Sequence, residues 1–296
     1  MKRFCRTASS VCALFLLLCS ATPLWSAGGQ GAVDWSDGYV TAVGYGTAPP
    51  GIPAAKALLS ARRAAEIDAQ RALLETIKGV QIDTQTTIDG SMRRDVVTRT
   101  RVEGALRGAV ITKQEVTVVN GAPMATVTMR LCLDGRSADC AGKAVLVSAI
   151  NLDRFAGQDA GPAQPLVPGD PTPREPARYD PARPATGAIL VLGSQRFERV
   201  LLPVVITSQN GKNVLVYGVR RVAPEVVRTF GIVRYAASLE QARGMEAAGT
   251  NPVVIVAEAV SPDNRIVIAP RDAATLEETL RYGNNFLEKG RMVIVQ

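Results

Sequence analysis

Between Pro53 and Val80 alanines recur along one side of a helix. At 100° per residue, Ala54, Leu58, Ala61, Ala65, Ala69, Ala72 and Leu73 fall in one stripe, with Lys56, Arg63, Gln70 and Lys78 opposite. Alanine combines high helix propensity with little bulk, so the helix axis can lie unusually close to whatever it covers. A sheet with a small-residue face is the expected support. Gly38 to Gly46 supplies one, because Tyr39, Thr41, Val43 and Tyr45 alternate with Val40, Ala42 and Gly44. Pro53 suits the first turn, and Gly79 after Lys78 reads as the stop.

The remaining pattern is mixed. Val80, Ile82, Thr84, Thr86 and Ile88 alternate with polar residues and predict a strand ended by Asp89-Gly90. Ser91 to Leu106 fits neither period and is open between a second strand and a short helix. Val110 to Val119 and Pro123 to Leu133 predict a hairpin around Asn120-Gly121, and Ala144 to Ile150 a further apolar segment. Residues 157–185 carry closely spaced prolines, which remove backbone donors and favour extended chain, so they read as a solvated linker. Beyond it, 186–296 holds short aliphatic strands, among them Ala188–Leu192, Pro252–Ala259 and Arg291–Val295, mixed with helices at Pro224–Phe230, after Ser238 and after Asp272. No regular strand–helix beat is present. The expected fold class is therefore α+β, with domains at 34–150 and 186–296 whose mainly antiparallel sheets are covered by helices.

The run ARRAAEIDAQRALLETIKGV from Ala61 to Val80 resembles the signature of the LPP-twenty lipoprotein family, a bacterial envelope domain similar to the N-terminal part of flagellar assembly protein T. The resemblance extends over roughly residues 34 to 150. It implies an envelope protein with a possible place around flagellar or other surface machinery, and makes Asp68 and Gly79 part of a family pattern of structural residues.

Residues 1–27 predict a cleaved signal. Lys2, Arg3 and Arg6 precede the apolar run Val11–Cys19, which is short for a membrane span. Export to the periplasm or the outer-membrane periphery follows, although Leu18 before Cys19 argues against a lipid anchor, since a small residue is wanted there. Removing this segment takes away three cations and lowers the net charge from +7 to +4. It also removes Cys5, Cys12 and Cys19, which leaves Cys132 and Cys140 as an expected disulfide around a short polar loop.

The chain has no histidine, so the usual neutral-pH base and the commonest zinc ligand are missing. No catalytic residue, metal or cofactor is expected. Asp83, Asp89 and Asp95 lack calcium-loop spacing, and Gly44-Tyr45-Gly46 is only part of a phosphate loop. Asp68 reads as a structural acid, paired with Arg62 or Arg71 or bonded to a strand. Arg93, Arg94, Arg99, Arg101 and Arg107 form a basic segment able to meet a polyanion or a partner. The expected partners are envelope proteins or further copies of the chain, with the outer-membrane or cell-wall surface as a possible contact; nucleic acid is excluded by compartment. The expected function is a non-enzymatic structural or assembly module. Two alternatives stand beside it: a periplasmic binding module for a wall or lipid fragment, which needs a concave apolar pocket between the domains with arginines converging on it, and a carboxylate-dependent hydrolase.

Overall fold

The computed structural model describes residues 30–155, 177–209, 211–281 and 285–296. The expected signal and the linker up to residue 176 lie outside them. The fold is α+β, in two units.

The first unit opens with β1 (Gln30–Asp34) and β2 (Tyr39–Thr47), followed by α1 (Ala54–Gly79), α2 (Ile88–Arg94), α3 (Val96–Arg107), β3 (Val110–Val119) and β4 (Ala122–Cys132). Its four strands form one antiparallel sheet in the order β1-β2-β4-β3. Helix α1 lies across this sheet and buries Ala57, Ala61, Ala65, Ala69, Ala72, Leu73 and Ile77. Ala54 is exposed and Leu58 half-buried, so the stripe runs closer to Ala57 and Ile77 than expected. The approach is as tight as the alanines allow: a Cβ on Gly44 would collide with the backbone of Ala65 and Ala69, and one on Gly46 with that of Ala61 and Ala65. Gly79 ends the helix in an ordinary conformation rather than a left-handed one, and the Val80 N–H closes onto the Ile77 carbonyl at 3.0 Å.

Residues 80–88 do not form the expected strand. Asp83 accepts from the N–H groups of Gln85 (2.8 Å) and Thr86 (2.7 Å), folding the segment into a tight turn. Thr87 then caps α2 through the Gly90 N–H at 3.0 Å. The alternation instead buries Ile82 and Ile88 from the two arms of the turn. The ambiguous stretch 91–106 is helical. Asp95 separates α2 from α3 and caps α3 by accepting from the N–H groups of Val97 and Thr98. The Asn120-Gly121 turn has both residues at positive φ, as a two-residue hairpin demands.

The second unit contains β5 (Gly187–Val191), β6 (Val205–Gln209), β7 (Lys212–Tyr217), α4 (Pro224–Phe230), β8 (Arg234–Ala236), α5 (Leu239–Gly244), β9 (Pro252–Val256), β10 (Ala259–Val260), β11 (Ile266–Ile268), α6 (Pro270–Arg281) and β12 (Met292–Val295). Its main sheet, in the order β8-β12-β5-β9, is parallel throughout, where antiparallel pairing was expected. A second sheet, β10-β11-β6-β7, joins β6 and β11 in parallel and is otherwise antiparallel. The central strands β5 and β12 are buried almost end to end, which is why they read as continuous apolar runs.

The last residues of the expected linker are docked rather than solvated. Arg178 exchanges backbone hydrogen bonds with Val254 of β9, and the Asn251 side chain donates to the carbonyls of Asp180 and Arg183, both at 2.9 Å. Asp272 does not cap α6. It lies inside the helix, nearly buried, and accepts from the Ala177 N–H at 2.9 Å.

The two units share a core. One hydrophobic cluster runs from Leu73 and Ile88 through Leu133 and Leu146 to Leu201, Tyr217 and Tyr235. Backbone bonds cross with it, from Leu201 N to Gln81 O (3.0 Å) and Leu202 N to Ile82 O (2.7 Å). No helix among the described residues is long and apolar enough to cross a membrane.

Candidate functional site

Strand β4 ends at Cys132, which is joined to Cys140 with an S–S distance of 2.00 Å and Cα atoms 5.9 Å apart. The loop so closed, 133–139, enters the second unit. Gly135 N donates to Thr229 O at 2.6 Å, and a Cβ at Gly135 would press on that same oxygen at 2.9 Å. Arg136 donates from Nε to Phe230 O (2.6 Å) and from Nη2 to Gly231 O (3.3 Å) and Gly290 O (2.8 Å). Phe230 ends α4, so the guanidinium meets carbonyls that the helix itself leaves unpaired, where the helix dipole also favours a cation.

Asp134 completes the clasp. Its Oδ1 lies 2.7 Å from Arg234 Nη2, and both side chains are about nine-tenths buried. It also accepts from the Arg136 N–H at 2.9 Å. Burial pushes the Asp134 carboxyl above its ordinary range, with Arg234 pulling the other way, and burial likewise lowers the Arg136 guanidinium. Arg234 itself is only 6 % exposed, and its Nη1 has no hydrogen-bond partner. The guanidinium passes over Gly38, where any Cβ would strike Nη1. Trp35 meets Tyr235, the next residue, edge-on at 5.5 Å between ring centroids.

Beside this clasp a cleft of about 430 Å³ opens between the units. The first unit contributes Ser36, Asp37, Arg136 and Ser137. The second contributes the cations Arg234, Lys289 and Arg291, the acid Glu246 and the apolar surface of Val226, Phe230 and Met245. Four cations thus face two carboxylates.

The residues expected to carry function lie elsewhere. Arg93, Arg94, Arg99, Arg101 and Arg107 are exposed on α2 and α3, and none lines the cleft. Arg93 pairs with Asp89 at 2.8 Å, and Arg99 Nη2 donates to Met92 O at 3.1 Å. Asp68 accepts from Tyr45 N (3.0 Å) and from Arg71 Nη2 (2.7 Å), so it ties α1 to β2. The three loosely clustered acids divide into a turn former (Asp83), an ion-pair partner (Asp89) and a helix cap (Asp95), the last held below the usual carboxylate range by the Thr98 hydroxyl. Among the described residues, no group of three or more acids and cysteines is gathered where it could hold a metal ion. Arg136 and Arg234 were not singled out by the sequence reading. The one available signal is that Arg136 sits in the short loop between Cys132 and Cys140.

Because the cysteines are eight positions apart, opening the bond frees a short loop, and the chain-entropy relation gives a cost of about 2.5 kcal/mol. Urea unfolding of the Cys132→Ser, Cys140→Ser double variant is expected to show that loss. A change under about 0.5 kcal/mol would mean that the neighbouring contacts hold the loop without help.

No curated protein matches the chain. Residues 185–296, essentially the second unit together with the residue that leads into it, match the family model described as Treponema pallidum Tp0624, second domain.

Proposed function

We propose that this is an exported, non-enzymatic envelope protein whose two units are clasped into a binding module for a cell-wall or lipid fragment. The cleft carries the reading: it is concave, it lies between the units, it has an apolar wall, and Arg136, Arg234 and Arg291 reach it from both sides. Its volume falls within the roughly 300–1,000 Å³ typical of small-molecule sites. The resemblance of residues 34–150 to the LPP-twenty family supports the envelope setting, as does the amino-terminal sequence.

A second reading, an assembly module for flagellar or other surface machinery, draws on a different observation. Strand β3 is the edge of its sheet, is exposed along nearly its whole length, and presents Val118 (73 % exposed) and Val119 (45 %). Such an edge is a template for pairing with another chain.

The binding reading is tested by melting the mature chain with soluble wall fragments and, separately, with detergent-dispersed envelope lipid. A ligand at one hundred times its Kd adds about 2.7 kcal/mol. For a chain of this size that is a rise of roughly 5 °C or more. If neither fraction moves the transition while cross-linking captures oligomers that a Val118→Pro substitution abolishes, the assembly reading replaces it.

A further inference from the structure

We infer that the cleft recognises the phosphate group of a small amphiphile, held where Arg136 meets the backbone between Lys289 and Arg291, with the apolar body against Val226, Phe230 and Met245. This rests on the binding reading above and adds the chemistry of the ligand.

Three observations lead there. The first is the charge of the lining, in which four cations face two acids. Asp134, beneath the surface, serves Arg234 and the backbone of Arg136, so it offsets only part of that excess. The second is how Arg136 and Arg234 are satisfied. Arg136 gives its hydrogen bonds to three carbonyls, which leave its charge in place. Arg234, buried with its Nη1 unpartnered over Gly38, adds a second positive charge at the edge of the cleft. A dianion in the adjoining cleft would relieve the repulsion between these cations. The third is geometry. Arg136 is bonded to the Gly290 carbonyl, so it stands beside Lys289 and Arg291, and such a cluster suits a phosphate, whose oxygens accept from several donors at once; one guanidinium fork already saturates a planar carboxylate. The apolar residues occupy the same cleft, and its 430 Å³ leaves room for more than the phosphate alone.

The test is titration calorimetry of the mature chain with three probes: dihexanoyl phosphatidic acid, dihexanoylglycerol and inorganic phosphate. The phosphatidic acid is expected to bind at least about tenfold tighter than the phosphate-free glyceride, a difference of about 1.4 kcal/mol, and to weaken as salt rises. Arg291→Gln is expected to weaken it about tenfold with the melting temperature unchanged. Should that variant fail to fold, Lys289→Gln and the salt dependence carry the same test. Equal affinity for the glyceride overturns the phosphate assignment. Inorganic phosphate binding as tightly as the phosphatidic acid overturns the amphiphile and leaves a free-phosphate site. If none of the probes binds but wall fragments still raise the melting temperature, the phosphate inference fails and the binding module stands. If those fragments and dispersed lipid are also without effect, both fall.

Discussion

Asp134→Ala is expected to lower the unfolding free energy by about 3–5 kcal/mol, because it strands the Arg234 cation in a site with almost no water. The change should read as a shift in the urea midpoint, and the two units should unfold separately or loosen towards each other before the main transition. The pair is nonetheless not a large net source of stability. Burial pushes the Asp134 carboxyl up, the sign of a charge held at some expense. A buried ion pair replaced on both sides by apolar groups of similar volume is commonly neutral in stability. The double variant Asp134→Leu, Arg234→Met is therefore expected to recover most of the loss. A single-variant loss below about 1 kcal/mol, the range of exposed pairs, would show that the clasp is wet and does not fix the units.

The second large effect is expected in the helix–sheet layer. Gly44→Ala should cost about 3 kcal/mol, since the added Cβ meets backbone rather than a side chain that can turn aside; Ala69 Cα alone would lie at 2.6 Å. For α1 to retreat it would have to break the close packing of Ala61, Ala65 and Ala69 over β2. Gly79→Ala is the control. A Cβ there meets nothing within 4 Å and the residue is helical, so the same substitution is expected to stabilise by roughly 0.5–1 kcal/mol. Thermal unfolding of the two variants separates the explanations: equal losses would mean that glycine flexibility, not close approach, is what position 44 needs.

Much of the first unit was legible because its signals are local. The alanine stripe needs a small-residue face, and Gly44 and Gly46 stand in the strand just before it. The Asn120-Gly121 pair names its own turn. Residues 80–88 misled for an equally local reason. Their period of two is genuine, but Asp83 captures two backbone N–H groups and bends the chain before a ladder can form. In the second unit the continuous apolar runs of β5 and β12 carried the signal of a sheet covered on both faces, but the helices between strands are too short and irregular to give a crossover rhythm. The cleft was the least legible part. Asp134 and Arg234 stand one hundred positions apart, and Arg136 and Gly290 more than one hundred and fifty. Arg234 has no neighbour in sequence that marks it out, and Arg136 has only the two cysteines that flank its loop, whereas the basic run at 93–107 is conspicuous in sequence and lies exposed on α2 and α3, away from the cleft.

The docking of Arg178 along β9 has a practical consequence. Family similarity begins at residue 185, and a recombinant fragment cut there would lack the short segment that occupies the outer backbone groups of Val254, together with the carbonyls that satisfy the Asn251 amide. Such a fragment would present the bare flank of β9 to its neighbours in solution. Starting eight residues earlier, at Ala177, retains the natural cover.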